Sequence, residues 1–411
     1  MVKTILNPNY KWYILAMAMF TYGWITGAER NSMPVLFKEI ATDLQLSTFS
    51  IGTIWGMDPL AGIFVGLLGG LLVDRFGIRK TLSVVCILAG LFSAVRGLSI
   101  DFLTMAGSMF LFGLMAAMLP SIVPKAAALW FPSRQVGFVN ALINVALSVG
   151  SMFATMLSAT VLSPWLGGWR NVLFVLAVPA VLVGILWALT GREPQKHESQ
   201  HGEISQIPLR QSFSKVIKFR QVWILGLISL TLWGSLMGLM GYLPMYLRDI
   251  GHSAALSDTA VTVINAAGMV GSIPMVLLAS RFRAYKQILL LSVIVHVISL
   301  VLIPLVDSVW LWPVLIISSF MRSATPALAN VMLLETPGIG ITYIGTAMGL
   351  MSSLGMIGAC IAPPLGNSTA VFGLQWPFFV WAALGTLALP LFLFLKNYSQ
   401  EGSTEFEERP A

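Results

Sequence analysis

The chain has 411 residues, of which 57% are hydrophobic and only 10% charged, whereas a soluble domain carries about 25% charged residues. That balance excludes an ordinary soluble domain and defines an integral membrane protein. The net charge of +7 is gathered in a few loops, so it reports topology and does not point to nucleic acid.

Apolar runs of roughly 20 residues cross the ~30 Å hydrocarbon core as helices, and the alternation of a transmembrane barrel is missing. Twelve spans are predicted, at roughly 11–36, 50–72, 81–99, 103–128, 136–162, 170–189, 221–247, 257–280, 287–306, 309–334, 341–366 and 375–396. The first run continues past Trp24 to about Phe37 without a small-residue cleavage site, so it reads as a retained span. It carries Glu29 and Arg30 near its end. These neighbours lie ~100° apart on a helix and do not face each other. The second span holds Asp58 just before Pro59. The connection that follows reads GGLLVDRFGIRKT over 69–81. Lys125 falls near the inner end of the fourth span. Asn140 and Asn144 share a face of the fifth.

The stretch 191–220 is the one long polar connection and carries Arg192, Lys196, Arg210, Lys215, Lys218 and Arg220. It is read as a cytoplasmic linker between residues 1–190 and 221–396, each with six helices. The seventh span offers Trp233, Tyr242 and Tyr246, the tyrosines sharing a face. Asn265 lies in the eighth, His296 in the ninth and Arg322 near the middle of the tenth. Pro326, four residues on, should break or kink that helix close to Arg322. The tail 397–411, with Glu401, Glu405, Glu407 and Glu408, is read as a cytoplasmic extension. Cys86 and Cys360 fall inside spans without metal or disulfide spacing.

The chain repeats itself. At 275–287 it reads MVLLASRFRAYKQ, so that Leu71, Leu72, Arg75, Phe76 and Lys80 recur 206 residues later as Leu277, Leu278, Arg281, Phe282 and Lys286. Pro132 and Pro337, and Gly150 and Gly355, are separated by 205. Parallel six-helix repeats place a substrate path at their interface. One side of the membrane receives 18 of the 24 Lys and Arg residues. The other side receives Lys38, Arg96, Arg170 and Arg248, so both termini are placed in the cytoplasm. Arg30 and Arg322 remain within spans, where a charge is costly and needs a reason.

On these residues the chain resembles the major facilitator superfamily over nearly its whole length. Its signature between helices 2 and 3 is matched by Gly70, Asp74, Arg75, Gly77, Arg79 and Lys80. The resemblance implies two pseudo-symmetric six-helix bundles, alternating access, and a conformational latch at those six residues. The alternative for them is a solvated loop that enforces topology. The second copy has Ser280 at the Asp74 position, so any latch there is weaker. A narrower resemblance, carried by ERNSMPVLFKEIATDLQLS and by KAAALWFPSRQVGF with Gly168, Trp169 and Arg170, is to the anion:cation symporters and organic-anion transporters of that superfamily. Where many of these carry Arg and Glu in helix 4, Met109 and Ala116 stand here.

What the resemblance implies is a secondary transporter of a small organic anion, a monocarboxylate or sugar acid, with proton symport. Arg30 and Arg322 would bind the anion, with Trp233, Tyr242, Tyr246, Asn144 and Asn265 as further substrate contacts. Glu29, and secondarily Asp58, would couple protons. A structural charge network is the alternative for the charged residues, and helix packing for the aromatic and amide side chains. An exporter or antiporter of amphipathic compounds, drugs or lipids is the competing function. A nucleotide-binding loop, metal-ligand spacing and a catalytic constellation are all missing. The chain is therefore expected to be a non-enzyme without cofactor. Its expected partners are an anionic small molecule, protons and the lipid bilayer. It is expected to act as a monomer in the plasma membrane, the inner membrane of a bacterium.

Overall fold

The computed structural model describes residues 10–65, 68–192 and 209–396. The expected linker centre and C-terminal tail lie outside these, as do residues 1–9 and 66–67. Among the described residues every regular element is helical. Contacts divide the chain into two compact units, residues 1–198 with 244–262, and residues 199–243 with 263–411.

In the first unit the chain enters as α1 (Tyr10–Thr21), passes through a π-helical segment (Tyr22–Glu29) and continues as α2 (Arg30–Asp43). Helices α3 (Thr48–Val65), α4 (Leu68–Phe76), α5 (Ile78–Gly97), α6 (Phe102–Ala116), α7 (Leu119–Ala128) and α8 (Ser133–Leu157) follow. A short π turn at Ser158–Leu162 leads into α9 (Ser163–Leu166) and α10 (Trp169–Thr190). The second unit contains the surface helix α11 (Leu209–Val216) and most of α12 (Arg220–Asp249) and α13 (Ala254–Phe282). It continues through α14 (Tyr285–Leu302), α15 (Ser308–Arg322), α16 (Thr325–Leu334), α17 (Gly340–Asn367), α18 (Trp376–Thr386) and α19 (Leu391–Phe394). Among the described residues, ten helical stretches are long and apolar enough to cross a membrane. The first two predicted spans form Tyr10–Asp43 and the pair Thr48–Val65 and Leu68–Phe76. Large apolar side chains such as Phe64, Leu103, Leu182, Ile273 and Ile317 are exposed, as a lipid-facing surface requires. This is a multi-pass membrane protein.

Residue choice explains the breaks. Asp101 opens α6 with a capping box, accepting from the N–H of Thr104 at 2.8 Å while Thr104 Oγ1 accepts from the N–H of Asp101 at 3.2 Å. The fourth span then stops at Ala116 and restarts at Leu119, where Pro120 provides no N–H for a regular ladder. Pro326 does the same between α15 and α16. Ala116 and Arg322, and the two prolines, are each 206 residues apart. The two breaks are therefore copies of one another, with a cation only in the second.

Each unit has its own apolar core, one around Leu82, Phe112, Ile122 and Trp187, the other around Leu225, Leu289, Leu328 and Met332. In the first, α5 runs along α10, α3 along α6, and the π segment along α8. That last crossing is close because small residues meet there. A Cβ added to Gly23 would lie 2.6 Å from Ala146 O, and one added to Gly27 would lie 2.7 Å from Leu147 O. Gly150 abuts Gly23 O in the same crossing. In the second unit the residue that abuts the facing backbone, at Leu230 O, is Gly358. Gly355 lies instead beside the Trp233 ring, so the equivalence of Gly150 with Gly355 is corrected to Gly358. Helix α8 starts directly after Pro132, whereas Gly338 in the left-handed region (φ 85°) and Ile339 delay the start of α17 after Pro337 by two residues, which accounts for two of the three positions of that shift.

Candidate functional site

In the first unit, four charged side chains gather where the π segment passes into α2. The π geometry ends at Glu29, so the polypeptide is already off the regular α ladder at this point; π segments occur frequently at functional sites. Pro34 adds to this by withholding an N–H from the Arg30 carbonyl. Side chains supply donors in place of backbone. Ser32 Oγ donates to Glu29 O at 2.9 Å, and Asn31 Nδ2 donates to Gly27 O at 2.9 Å and Ser151 Oγ at 3.1 Å.

Glu29 and Arg96 are both fully enclosed. The Arg96 guanidinium lies 3.9 Å from the Phe112 ring centroid. It donates to Ser93 Oγ at 2.6 Å and to the main-chain oxygen of Glu29 at 3.4 Å. The Ser93 hydroxyl hydrogen is thereby free to turn toward the neighbouring Glu29 carboxyl group. The sequence placed Arg96 among the outer connections; it is instead a buried member of α5. It was missed because a basic residue at the end of an apolar run looks like a loop residue when only the run is visible.

The adjacent pair behaves differently. Arg30 Nη2 forms a salt bridge with Asp58 Oδ2. The Arg30 side chain is 30% exposed and that of Asp58 only 1%. Asp58 is held by the close approach of α6 to α3, where a Cβ on Gly113 would lie 2.9 Å from Asp58 Cα. The structure therefore brings Arg30, Glu29 and Asp58 together, and adds Arg96.

In the second unit Arg322 ends α15 at the midpoint of its span and is partly exposed. Among the described residues no acidic side chain pairs with it. It interacts electrostatically with His296. That imidazole is buried, with Nε2 3.0 Å from Ser235 Oγ and Nδ1 3.4 Å from Ser318 Oγ, which ties α14 to α12 and α15.

The remaining expected contacts are spread out. Tyr242 is buried, donates to Leu374 O at 3.0 Å and packs on Phe378 and Trp381. Tyr246 is also buried. Trp233 is 48% exposed beside Gly355. Asn144 is exposed and donates to Asn140 O at 2.8 Å, and Asn265 is half-buried. In the signature, Gly77 takes a φ of 83°, open to glycine at little cost, and turns the chain between α4 and α5. Arg79 Nε donates to Ala188 O at 2.8 Å, and Arg75 and Lys80 are exposed. The side chain of Asp74 lies outside those described.

Charged side chains set inside the apolar helices of both helical units are the mark of a membrane transport protein. The pattern of the Major Facilitator Superfamily matches residues 14–341, and the chain belongs to that family. Over 203 residues it is 27% identical to the probable galactarate/D-glucarate transporter GudP of Bacillus subtilis (strain 168), covering 46% of this chain and 43% of the relative. Over 171 residues it is 26% identical to the hexuronate transporter of the same organism, covering 42% and 39%. The chain thus spans less than half the length of these curated relatives. Its fold is similar to the crystal structure of a bacterial homolog of the human lysosomal transporter Spinster, with a TM-score of 0.71 at 15% identity, over 95% of this chain and 97% of that one.

Proposed function

We propose that this chain is a secondary transporter of small organic anions of the sugar-acid class, working by alternating access with proton symport. The observation that carries the reading is Arg322. A guanidinium at mid-span is costly and is retained where a partner or a pathway requires it. With no described acidic partner, Arg322 is matched by a carboxylate that arrives from outside, gripped through two parallel hydrogen bonds. The relatives named for galactarate, glucarate and hexuronate transport support a sugar acid as that carboxylate. A bacterial inner membrane, cytoplasmic termini and a monomeric unit complete the proposal. Asp74, Arg75 and Arg79 then act in the conformational latch, and Asp74→Asn alters the rate of exchange more than the affinity.

The test is reconstitution. Purified protein in vesicles is given radiolabelled galactarate, with an imposed pH gradient or none. Saturable uptake, driven by an inward proton gradient and competed by glucuronate, is expected. Uptake indifferent to sugar acids but competed by lipophilic cations or lysolipids would replace the proposal with an exporter of amphipathic compounds.

A further inference from the structure

Glu29 and Asp58, the two carboxylates gathered where the π segment meets α2, occupy unlike surroundings, and the difference assigns their roles. Glu29 is sealed with Arg96, whose own guanidinium is committed to Ser93, to the Glu29 main chain and to the face of Phe112. Neither side chain of that pair is accessible. Asp58 is equally inaccessible, but its salt-bridge partner Arg30 reaches open space. Of these two acids, Asp58 is therefore the one whose cation can exchange partners with an incoming anion.

We infer that Asp58, and not Glu29, is the group that binds the transported proton, and that it does so when a substrate carboxylate takes Arg30 from it. The inference rests on the organic-anion reading and names the coupling device within it. The physical reason is the cost of an isolated charge. A carboxylate inside an apolar bundle that loses its salt-bridge partner does not stay ionised. A proton from the aqueous phase adds to Asp58 Oδ2, giving a neutral carboxyl group, while the substrate carboxylate takes the vacated guanidinium. One anion and one proton enter together, and Arg30 keeps its charge throughout. When the substrate leaves, Arg30 returns to Asp58 and the proton is released.

The surroundings of Asp58 allow this. Helix α2 brings Arg30 to it, α5 brings Arg96, and Tyr22 of the π segment faces Arg30 while Glu29 faces Arg96. Helix α6, packed along α3, contains no titratable residue between Phe102 and Ala116, and meets Asp58 with Gly113. Arg96 is held by Ser93, by the Glu29 main-chain oxygen and by the face of Phe112, so Arg30 is the cation whose departure changes the surroundings of Asp58. Glu29 becomes a positioning residue. Its main-chain oxygen accepts from Arg96, and the π segment that it ends sets the direction in which Arg30 leaves the helix.

Two measurements on the full-length protein in nanodiscs decide the matter. The first needs no substrate. Infrared difference spectra of Arg30→Gln against wild type should show a new protonated-carboxyl stretch at neutral pH. That band should vanish in Arg30→Gln/Asp58→Asn and persist in Arg30→Gln/Glu29→Gln. A band that vanishes with Glu29→Gln instead, or no new band, overturns the inference. The second uses galactarate. Wild-type affinity should fall about tenfold per pH unit once Asp58 must take up a proton to bind. Asp58→Asn should bind with no pH dependence, Asp58→Glu should restore it, and Glu29→Gln should keep it while lowering thermal stability. A pH dependence that survives Asp58→Asn also overturns the inference. Absence of galactarate binding in wild type, with the infrared result intact, removes the sugar-acid reading and leaves the coupling pair standing.

Discussion

The crossing of the π segment with α8 gives the sharpest stability prediction. Gly150 lies against the backbone oxygen of Gly23, and an added Cβ would overlap that oxygen. The reciprocal contact, from Gly23 to Ala146 O, would be 2.6 Å, against an ordinary contact that begins at 3.4 Å. The obstructing atoms are backbone, so no rotamer change relieves them and the helices must separate by roughly an ångström. Overpacking of this kind costs about 1–3 kcal/mol. The better helix propensity of alanine returns at most about 1 kcal/mol. Gly150→Ala should therefore destabilise the protein by about 1–2 kcal/mol. Gly107 is an internal control, because a Cβ there meets nothing within 4 Å. Gly107→Ala should be neutral or stabilising by up to about 1 kcal/mol. The assay is thermal unfolding followed by reaction of the buried Cys86 with a fluorogenic maleimide, in a Cys360→Ala background because Cys360 is only half-buried. A Gly150→Ala protein that melts at or above its parent would refute the close backbone crossing. So would a Gly107→Ala protein that loses as much as Gly150→Ala.

Arg322→Ala should weaken galactarate binding by about 2–5 kcal/mol, roughly 30-fold or more, and Arg322→Lys should recover only part because its point charge cannot form the planar fork; calorimetry on purified protein checks both. Arg96→Met strands Glu29 and should cost about 3–5 kcal/mol. Replacing both as Glu29→Leu/Arg96→Met should return much of that stability, measured as a double-mutant cycle by thermal melting. Asp101 is held below the usual carboxylate range by the Thr104 backbone N–H and then the Thr104 hydroxyl. Its folded value is depressed, so its contribution is present above the unfolded pKa of about 3.9 and is lost as pH falls through the folded value. The melting temperatures of wild type and Asp101→Ala should therefore differ at pH 7 and converge under strongly acidic conditions.

Some of this was legible in the residues alone. Apolar runs of span length and a low charge content determine a multi-pass helical protein, because only internally hydrogen-bonded helices or closed barrels satisfy backbone groups in lipid. The helix break beside Arg322 followed from Pro326, whose missing N–H acts locally. The duplicated loop was visible because its turn and its basic residues act at short range. Partnership was not legible. Arg96 looked like a loop residue until α5, α6 and the π segment enclosed it. The sequence shows that Glu29 and Asp58 are both acids, and not that Arg30 forms its salt bridge with Asp58. The apparent match of Gly150 with Gly355 gave way to Gly358, the residue that packing sets against the facing backbone. Periodicity and composition are properties of a single segment and survive in one dimension. Which charge meets which is a property of helices far apart in the chain, and only their packing decides it.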